Sequence, residues 1–325
     1  MRVRSACALG LLALAGLSAR AAAAENGDFF SGLMAPAVKS VDYQLRESPA
    51  RRSQDPDILE NRVRASFPLA KASSDTWSLQ QDLGSFHLSR SPVIGPGGPA
   101  IPRDLWNVET GANFRRALAD RRGWGVSASV GSASDGLYRS LHETTFKATG
   151  NYHIPSGRDN SWLFFLAYSN NRHFANNVPF PGAAYLVRAP EHGLDAVIGL
   201  PFFAVRYRPA PRWSGKLAVF GPDNVSAELA YQLRAAVETY AGFDWSQREW
   251  LRADRPDNSQ RLFFDEKRWS LGLRCPLRQG LRMDLSGGYE FGRRLYESTR
   301  ARSSGVPEAD LDPAWTVGAK LSLRL

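Results

Sequence analysis

The chain is 325 residues long, carries a formal net charge of +9 and holds two cysteines, Cys7 and Cys275. Cys7 falls inside an amino-terminal leader, so one cysteine remains and a disulfide scaffold is excluded. No later stretch approaches the roughly eighteen consecutive apolar residues of a helical membrane span, which excludes helical membrane proteins too.

Arg2 and Arg4, the apolar run from Ala6 to Leu17, and Ala22-Ala23-Ala24 have the order of a secretory signal peptide. Residues 1–24 are therefore expected to be removed, with Glu25 as the mature start. Cleavage takes away three arginines and no acid, lowering the charge from +9 to +6. Residues 25–37 read as a short periplasmic segment, and 38–325 as one all-β domain.

In chain order, 38–47, 60–69 and 75–89 are candidate strands. Residues 104–117 alternate clearly: Trp106, Val108, Thr110, Ala112 and Phe114 on one face, Asn107, Glu109, Gly111, Asn113 and Arg115 on the other. The same period of two recurs over 121–131 and 142–153. Candidates follow at 160–170, 194–207 and 213–220. Alternation is clear again over 224–234, where Val225, Ala227, Leu229, Tyr231 and Leu233 face away from Ser226, Glu228, Gln232 and Arg234. Residues 236–245, 266–275 and 280–292 continue the series. The last strand, Thr316 to Leu325, puts Val317, Ala319, Leu321, Leu323 and Leu325 on one face. A one-sided strand with an exposed edge is a liability unless it closes against another strand. The pattern predicts a closed antiparallel transmembrane β-barrel of about fourteen strands, with roughly twelve to sixteen allowed.

The connections agree. With the amino terminus in the periplasm, the turns at 70–74, 118–120, 154–159, 208–212, 235 and 276–279 are short. The loops on the other side, at 48–59, 90–103, 132–141, 171–193, 246–265 and 293–313, are long, and only 221–223 is short. Short turns inside and long loops outside are the asymmetry of outer-membrane barrels. Tryptophan placement points the same way. Trp77, Trp124, Trp162 and Trp213 open strands at the inner rim, and Trp106, Trp245, Trp269 and Trp315 lie near the outer rim. Indole favours membrane interfaces, where its ring is buried and its N–H stays wet.

Four stretches carry a resemblance: Asn177 to Tyr185, Gly199 to Pro209, Leu262 to Trp269 and Gly288 to Arg294. Through them the chain resembles a family of bacterial outer-membrane β-barrel proteins known only as a domain of unknown function. The resemblance covers most of the mature chain. It implies a barrel and a location, and supplies no activity.

Motifs that carry chemistry are sparse. His87, His142, His153, His173 and His192 have no metal-ligand spacing, and no cofactor is expected. Gly95-Pro-Gly-Gly98 lacks the Lys-Ser/Thr of a phosphate cradle. Asp254, Asp257, Asp265 and Glu266 read as a solvated acidic loop. Ala167-Tyr-Ser-Asn170 resembles the His-x-Ser-Asn segment of lipid A deacylases, but Ala167 stands where the general base is needed. An enzyme is therefore not expected.

The inward charges say more. The registers send Arg62, Arg64, Glu109, Arg115, Glu143, Lys147, Arg206, Lys216, Glu228, Glu238, Arg274, Arg282, Asp284 and Glu290 into the lumen. They could line a water-filled passage or pair and close it. The loop 171–193 is unusually apolar, with Phe174, Pro179, Phe180, Pro181 and Tyr185, and is expected to fold into the mouth as a constriction. Arg51, Arg52, Arg293, Arg294, Arg300 and Arg302 are expected on the outer side, suited to lipopolysaccharide phosphates. Expected partners are outer-membrane lipid and the barrel-assembly machinery, through the last strand. Nucleic acid is not expected. Passage of small polar solutes or ions is the leading expectation. A closed barrel acting through its outer loops is the alternative, and a lipid-modifying enzyme the third.

Overall fold

Alternating sequences of this kind can satisfy their backbone in hydrocarbon only by pairing every strand on both sides. The computed structural model does this. It describes residues 38–53, 55–72, 74–172, 175–221, 224–234, 236–300 and 305–325. The leader and the 25–37 segment lie outside the described residues.

The described residues form seventeen strand segments. The first seven are β1 (Ser40–Ser48), β2 (Ile58–Lys71), β3 (Asp75–Leu88), β4 (Asp104–Ala117), β5 (Gly123–Ser134), β6 (Thr144–Ser156) and β7 (Asn160–Ser169). Next come β8 (Phe180–Ala189), β9 (Leu194–Gly199), β10 (Phe202–Ala210), β11 (Trp213–Phe220) and β12 (Asn224–Arg234). The last are β13 (Val237–Trp250), β14 (Arg261–Arg278), β15 (Leu281–Ser298), β16 (Glu308–Leu311) and β17 (Ala314–Arg324). Each pairs antiparallel with its neighbour in sequence, except that β15 pairs with both β16 and β17. These two are one wall strand broken at Asp312-Pro313, where proline has no N–H to give. β17 closes on β1, from Ser40 opposite Arg324 to Glu47 opposite Val317. The result is a closed antiparallel barrel of sixteen wall strands.

Sixteen exceeds the expected fourteen for two reasons. Residues 180–189, expected within an outer loop, are the strand β8. Residues 194–207, expected as one strand, are the hairpin β9–β10, turned at Leu200-Pro201. The constriction loop is corrected accordingly: Phe180, Pro181 and Tyr185 belong to the wall, Pro179 precedes it, and Phe174 lies outside the described residues.

The eight belt tryptophans all share the parity of the outer face. At the turn end they extend into aromatic ladders. Trp77 and Trp124 flank Phe114, with ring centroids 4.7 and 5.1 Å away, and Trp162 meets Tyr185 at 4.8 Å. Trp213 meets Tyr231 at 4.7 Å. Toward the loop end, Phe243 meets Trp269 at 4.7 Å and Tyr289 meets Trp315 at 5.2 Å. Between the two levels Leu83, Val126, Val130, Phe164, Leu166, Leu229, Leu271 and Leu285 are exposed. An apolar band of this extent, rimmed by indole, is stabilised by lipid and not by water.

The loop end is not a plain rim. Arg261 to Glu266 of β14 are six consecutive buried residues, which a wall with one face on lipid or solvent cannot show. Backbone and side chains tie this end across the barrel. Leu251 N donates to Ala133 O at 2.7 Å, and Ala253 N to Asp135 Oδ1 at 2.8 Å. Arg261 donates to Asn171 Oδ1 at 3.1 Å. The ends of β13 and β14 therefore fold over the mouth onto β5 and the β7–β8 loop.

Candidate functional site: a layered lumen

Strand parity gives the lumen its side chains, and their character changes along the axis. At the loop end the inward positions are apolar. Ile58, Phe86, Leu88, Leu105 and Ala133 come from one side, and Trp250, Leu262, Phe264 and Leu295 from the other. Ile94 and Ile101 of the β3–β4 loop pack into the same cluster, with Leu311. Phe86 meets Trp250 at 5.2 Å and Phe264 at 5.1 Å, so the rings join opposite walls. This is a dry plug. Each large side chain in it is worth roughly 1.5–3 kcal/mol of burial.

Beneath the plug lies a buried ionic layer. Arg46 of β1 reaches Glu266 at 2.7 Å and Glu290 at 3.1 Å, and also pairs with Glu60 at 2.5 Å. Arg248 of β13 pairs with Glu266 and, across the lumen, with Glu60 of β2. Arg293 stands 3.6 Å from Glu290. The layer is not fully satisfied: Arg46 Nε, Glu266 Oε2 and Arg293 Nη2 are buried without a hydrogen-bond partner. Unmet donors and acceptors of this kind are costly in a low dielectric.

Below that layer the barrel opens into a cavity of about 930 Å³. Its lining runs down to Val38, Ser40, Thr76 and Arg324, at the turn end of the wall. Ion pairs cross its surface. Arg62 holds Asp82 at 2.6 Å, Lys147 holds Glu109 at 2.5 Å, and Lys216 holds Glu228 at 2.7 Å. Arg274 is the most connected group. It reaches Asp284 at 2.7 Å and Glu238 at 3.0 Å, also pairs with Glu228, and lies 3.9 Å from the Tyr240 ring centroid. That ring lies directly over Gly272, where an added Cβ would stand 2.4 Å from it.

The cavity does not occupy the whole cross-section, for no residue of β7–β10 lines it. There the inward positions are Leu163, Phe165, Ala167, Ala184, Leu186 and Phe202, a second apolar cluster. Phe165 lies flat on Gly182, where a Cβ would sit 1.9 Å from the ring. These strands are apolar on both faces over most of their length, with Arg188, Asp195 and Arg206 standing in register near the turn end, and none of their residues lines the cavity.

Of the expected lumen residues, Arg62, Arg64, Glu109, Arg115, Lys147, Lys216, Glu228, Arg274, Arg282 and Asp284 line the cavity. Glu238 stands behind it as a partner of Arg274 and of Arg282, the latter at 3.1 Å. Glu290 sits higher, in the buried layer. Arg206 faces Lys216 across β10–β11 but lies outside the cavity lining. Glu143 is corrected: it belongs to the β5–β6 loop, accepting from Ser140 N at 2.6 Å and standing 3.6 Å from Arg255. Two further corrections follow from the folded mouth. Arg293, expected outside, is buried, and so are Asp265 and Glu266, expected in a solvated loop. Arg46, Glu60, Arg248 and the plug were not anticipated. They lie at strand ends, and only their closeness in space makes them a group.

Ser169 is buried near the mouth, and its Oγ donates to the Asn171 carbonyl at 3.0 Å. Among the described residues no group of three or more His, Cys, Asp or Glu is placed to hold a metal ion.

No protein-family model matches the chain, and no curated protein matches it. Solved structures do. An outer membrane channel from Pseudomonas putida F1 is 8% identical, covering 90% of this chain and 97% of that one, with a TM-score of 0.35. The Pseudomonas putida toluene transporter TodX is 8% identical, covering 94% and 95%, with a TM-score of 0.35. A mutant of the Rh. blastica porin is 9% identical, covering 89% and 99%, with a TM-score of 0.34. The likeness is to the barrel fold alone.

Proposed function

We propose that this protein is an outer-membrane channel for small polar solutes or ions, shut at its loop end in the conformation described. The short turns face the periplasm and the long loops the outside, so the cavity is entered from the periplasm. The resemblance to uncharacterised outer-membrane barrels fits this placement. One observation carries the reading: among the described residues a charged cavity of about 930 Å³ ends at an incompletely bonded ionic layer, with the plug and the crossed loop ends above it. A purely structural barrel has no need of a polar void of that size behind a seal. The test is single-channel conductance of the refolded mature chain in a planar bilayer. Salt-dependent steps in the wild type, longer-lived in a plug variant, are expected. A folded plug variant that never conducts would end the reading.

A second reading has its own observation. Plug, paired charges and crossed loops together fill the loop half, as in a closed barrel that acts through its outer surface. Silence of every variant would favour it. A lipid-modifying enzyme has less support, because Ala167 stands where that chemistry needs its base.

A further inference from the structure

The charges lining the cavity are unequal. Eleven arginines and lysines face it against six aspartates and glutamates, an excess of five positive charges. Counting the groups that stand behind the lining as partners adds Arg248 and Arg293, and Glu60, Glu238, Glu266 and Glu290. The excess then falls to three, and its sign is unchanged.

Its placement matters more than its size. Arg115, Arg282 and Arg324 lie toward the turn end, on β4, β15 and β17, in one sector of the wall, and Arg64 of the same sector stands mid-strand on β2, 3.4 Å from Asp82. Arg115 has Thr76 and Gly125 beside it in register, and Arg324 has Ser40. A solute entering from this end meets these guanidinium groups together with Asp42 and with Glu238, the partner of Arg282, and reaches Glu109 and Asp244 further along their strands. Low-dielectric walls focus such a field, and salt screens exposed charges only beyond a Debye length of about 8 Å at physiological strength. Guanidinium groups also present paired N–H donors that fit carboxylate and phosphate oxygens.

We propose that the cavity is an anion site, taking small solutes that carry a carboxylate or phosphate group through its turn-end arginine sector. This deepens the channel reading and rests on it for transport, but binding does not require an open mouth.

The test uses the refolded barrel in zwitterionic detergent, with inorganic pyrophosphate and citrate as probes in titration calorimetry at two potassium chloride concentrations. Binding that weakens with salt is expected. Arg115→Gln and Arg324→Gln should each weaken it about tenfold, the loss of one charge-assisted hydrogen bond. Heat-modifiable migration checks that each variant is folded, and either folded variant alone decides if the other fails to fold. No binding by the wild type, or equal binding by both folded variants, overturns the proposal. So does displacement of the probe by anionic lipid in the micelle, which would place the site on a headgroup. Reversal potentials form the second arm: a current carried mainly by potassium overturns the proposal, and one carried mainly by chloride supports it. Pyrophosphate binding without conductance leaves the anion site standing and ends the channel.

Discussion

Arg248 on β13 pairs with Glu60 on β2, across the barrel, while its guanidinium lies 5.3 Å from the Phe86 ring centroid and 5.2 Å from that of Phe264. One side chain therefore joins opposite walls and also supports the plug from below. A cation held over aromatic faces and paired with a carboxylate links the ionic layer to the apolar one. Loosening either should loosen both.

Glu60→Gln tests that link. Removing one partner of a buried pair typically costs about 3–5 kcal/mol, much of it from the charge left behind. The cost falls on the closed mouth and spares the membrane wall. The Leu251 amide, bonded to Ala133 O at 2.7 Å, reports closure directly. Its hydrogen exchange should speed up about a hundredfold, and channel openings should lengthen. Unchanged exchange in a folded variant would show that the clamp does not hold the mouth.

The plug can be weakened from its own side. Phe86→Ala removes a ring that touches Trp250 and Phe264, and such truncations typically cost about 3–5 kcal/mol. The outer-face ladders are untouched, so the variant should keep its heat-modifiable β-form. Conductance should rise relative to the wild type. Trp315→Ala, on the outer face, is the control, and should leave conductance unchanged.

How much of this was legible in the sequence depended on what each face of a strand meets. In β12 and β15 one face meets lipid and the other a charged cavity, so Leu229 against Glu228 or Leu285 against Asp284 declares the strand. Along most of β7–β10 both faces are apolar, and the alternation disappears. Ala183, Ala184, Leu186 and Val187 carry no period of two, so β8 fell within the expected loop 171–193. Gly199-Leu-Pro201 turns the chain inside a continuous apolar run, so β9 and β10 read as one strand. The mouth was hidden for another reason. Arg261 to Glu266 extend the wall beyond the tryptophan level, where no rule ties parity to exposure, and only the fold shows that both faces are covered.

Arg274 should be the least replaceable lumen residue for stability. It joins Glu228, Glu238 and Asp284 from three strands and packs on Tyr240. Arg274→Met leaves three half-buried carboxylates short of their shared cation. The urea midpoint should fall by the equivalent of about 3 kcal/mol or more. Arg274→Lys should recover little, because an ammonium cannot reproduce a planar fork that serves several acids at once. Full rescue by lysine would mean that only charge matters there.

The β13–β14 loop should respond to acid. Arg252 Nε donates to Asp254 Oδ1 at 3.0 Å and Nη2 to Oδ2 at 2.8 Å. Those hydrogen bonds hold the Asp254 carboxyl below the usual carboxylate range. Partial burial opposes them, and the positive charge of Arg252 adds to them. A carboxyl whose value is lowered on folding binds protons less well folded than unfolded. Its contribution is thus complete above the unfolded value of about 3.9, and is lost as pH falls through the lower folded one. Arg252 also holds Glu297 of β15 at 2.7 Å, so the loop should detach from the mouth in that acid window. Amide exchange across 251–260 should be flat from pH 7 to about 4, after correction for its intrinsic rate, and should rise below that. Asp254→Asn should remove the acid step and leave exchange higher throughout. An acid step that persists in the variant would assign it to other carboxylates of the mouth.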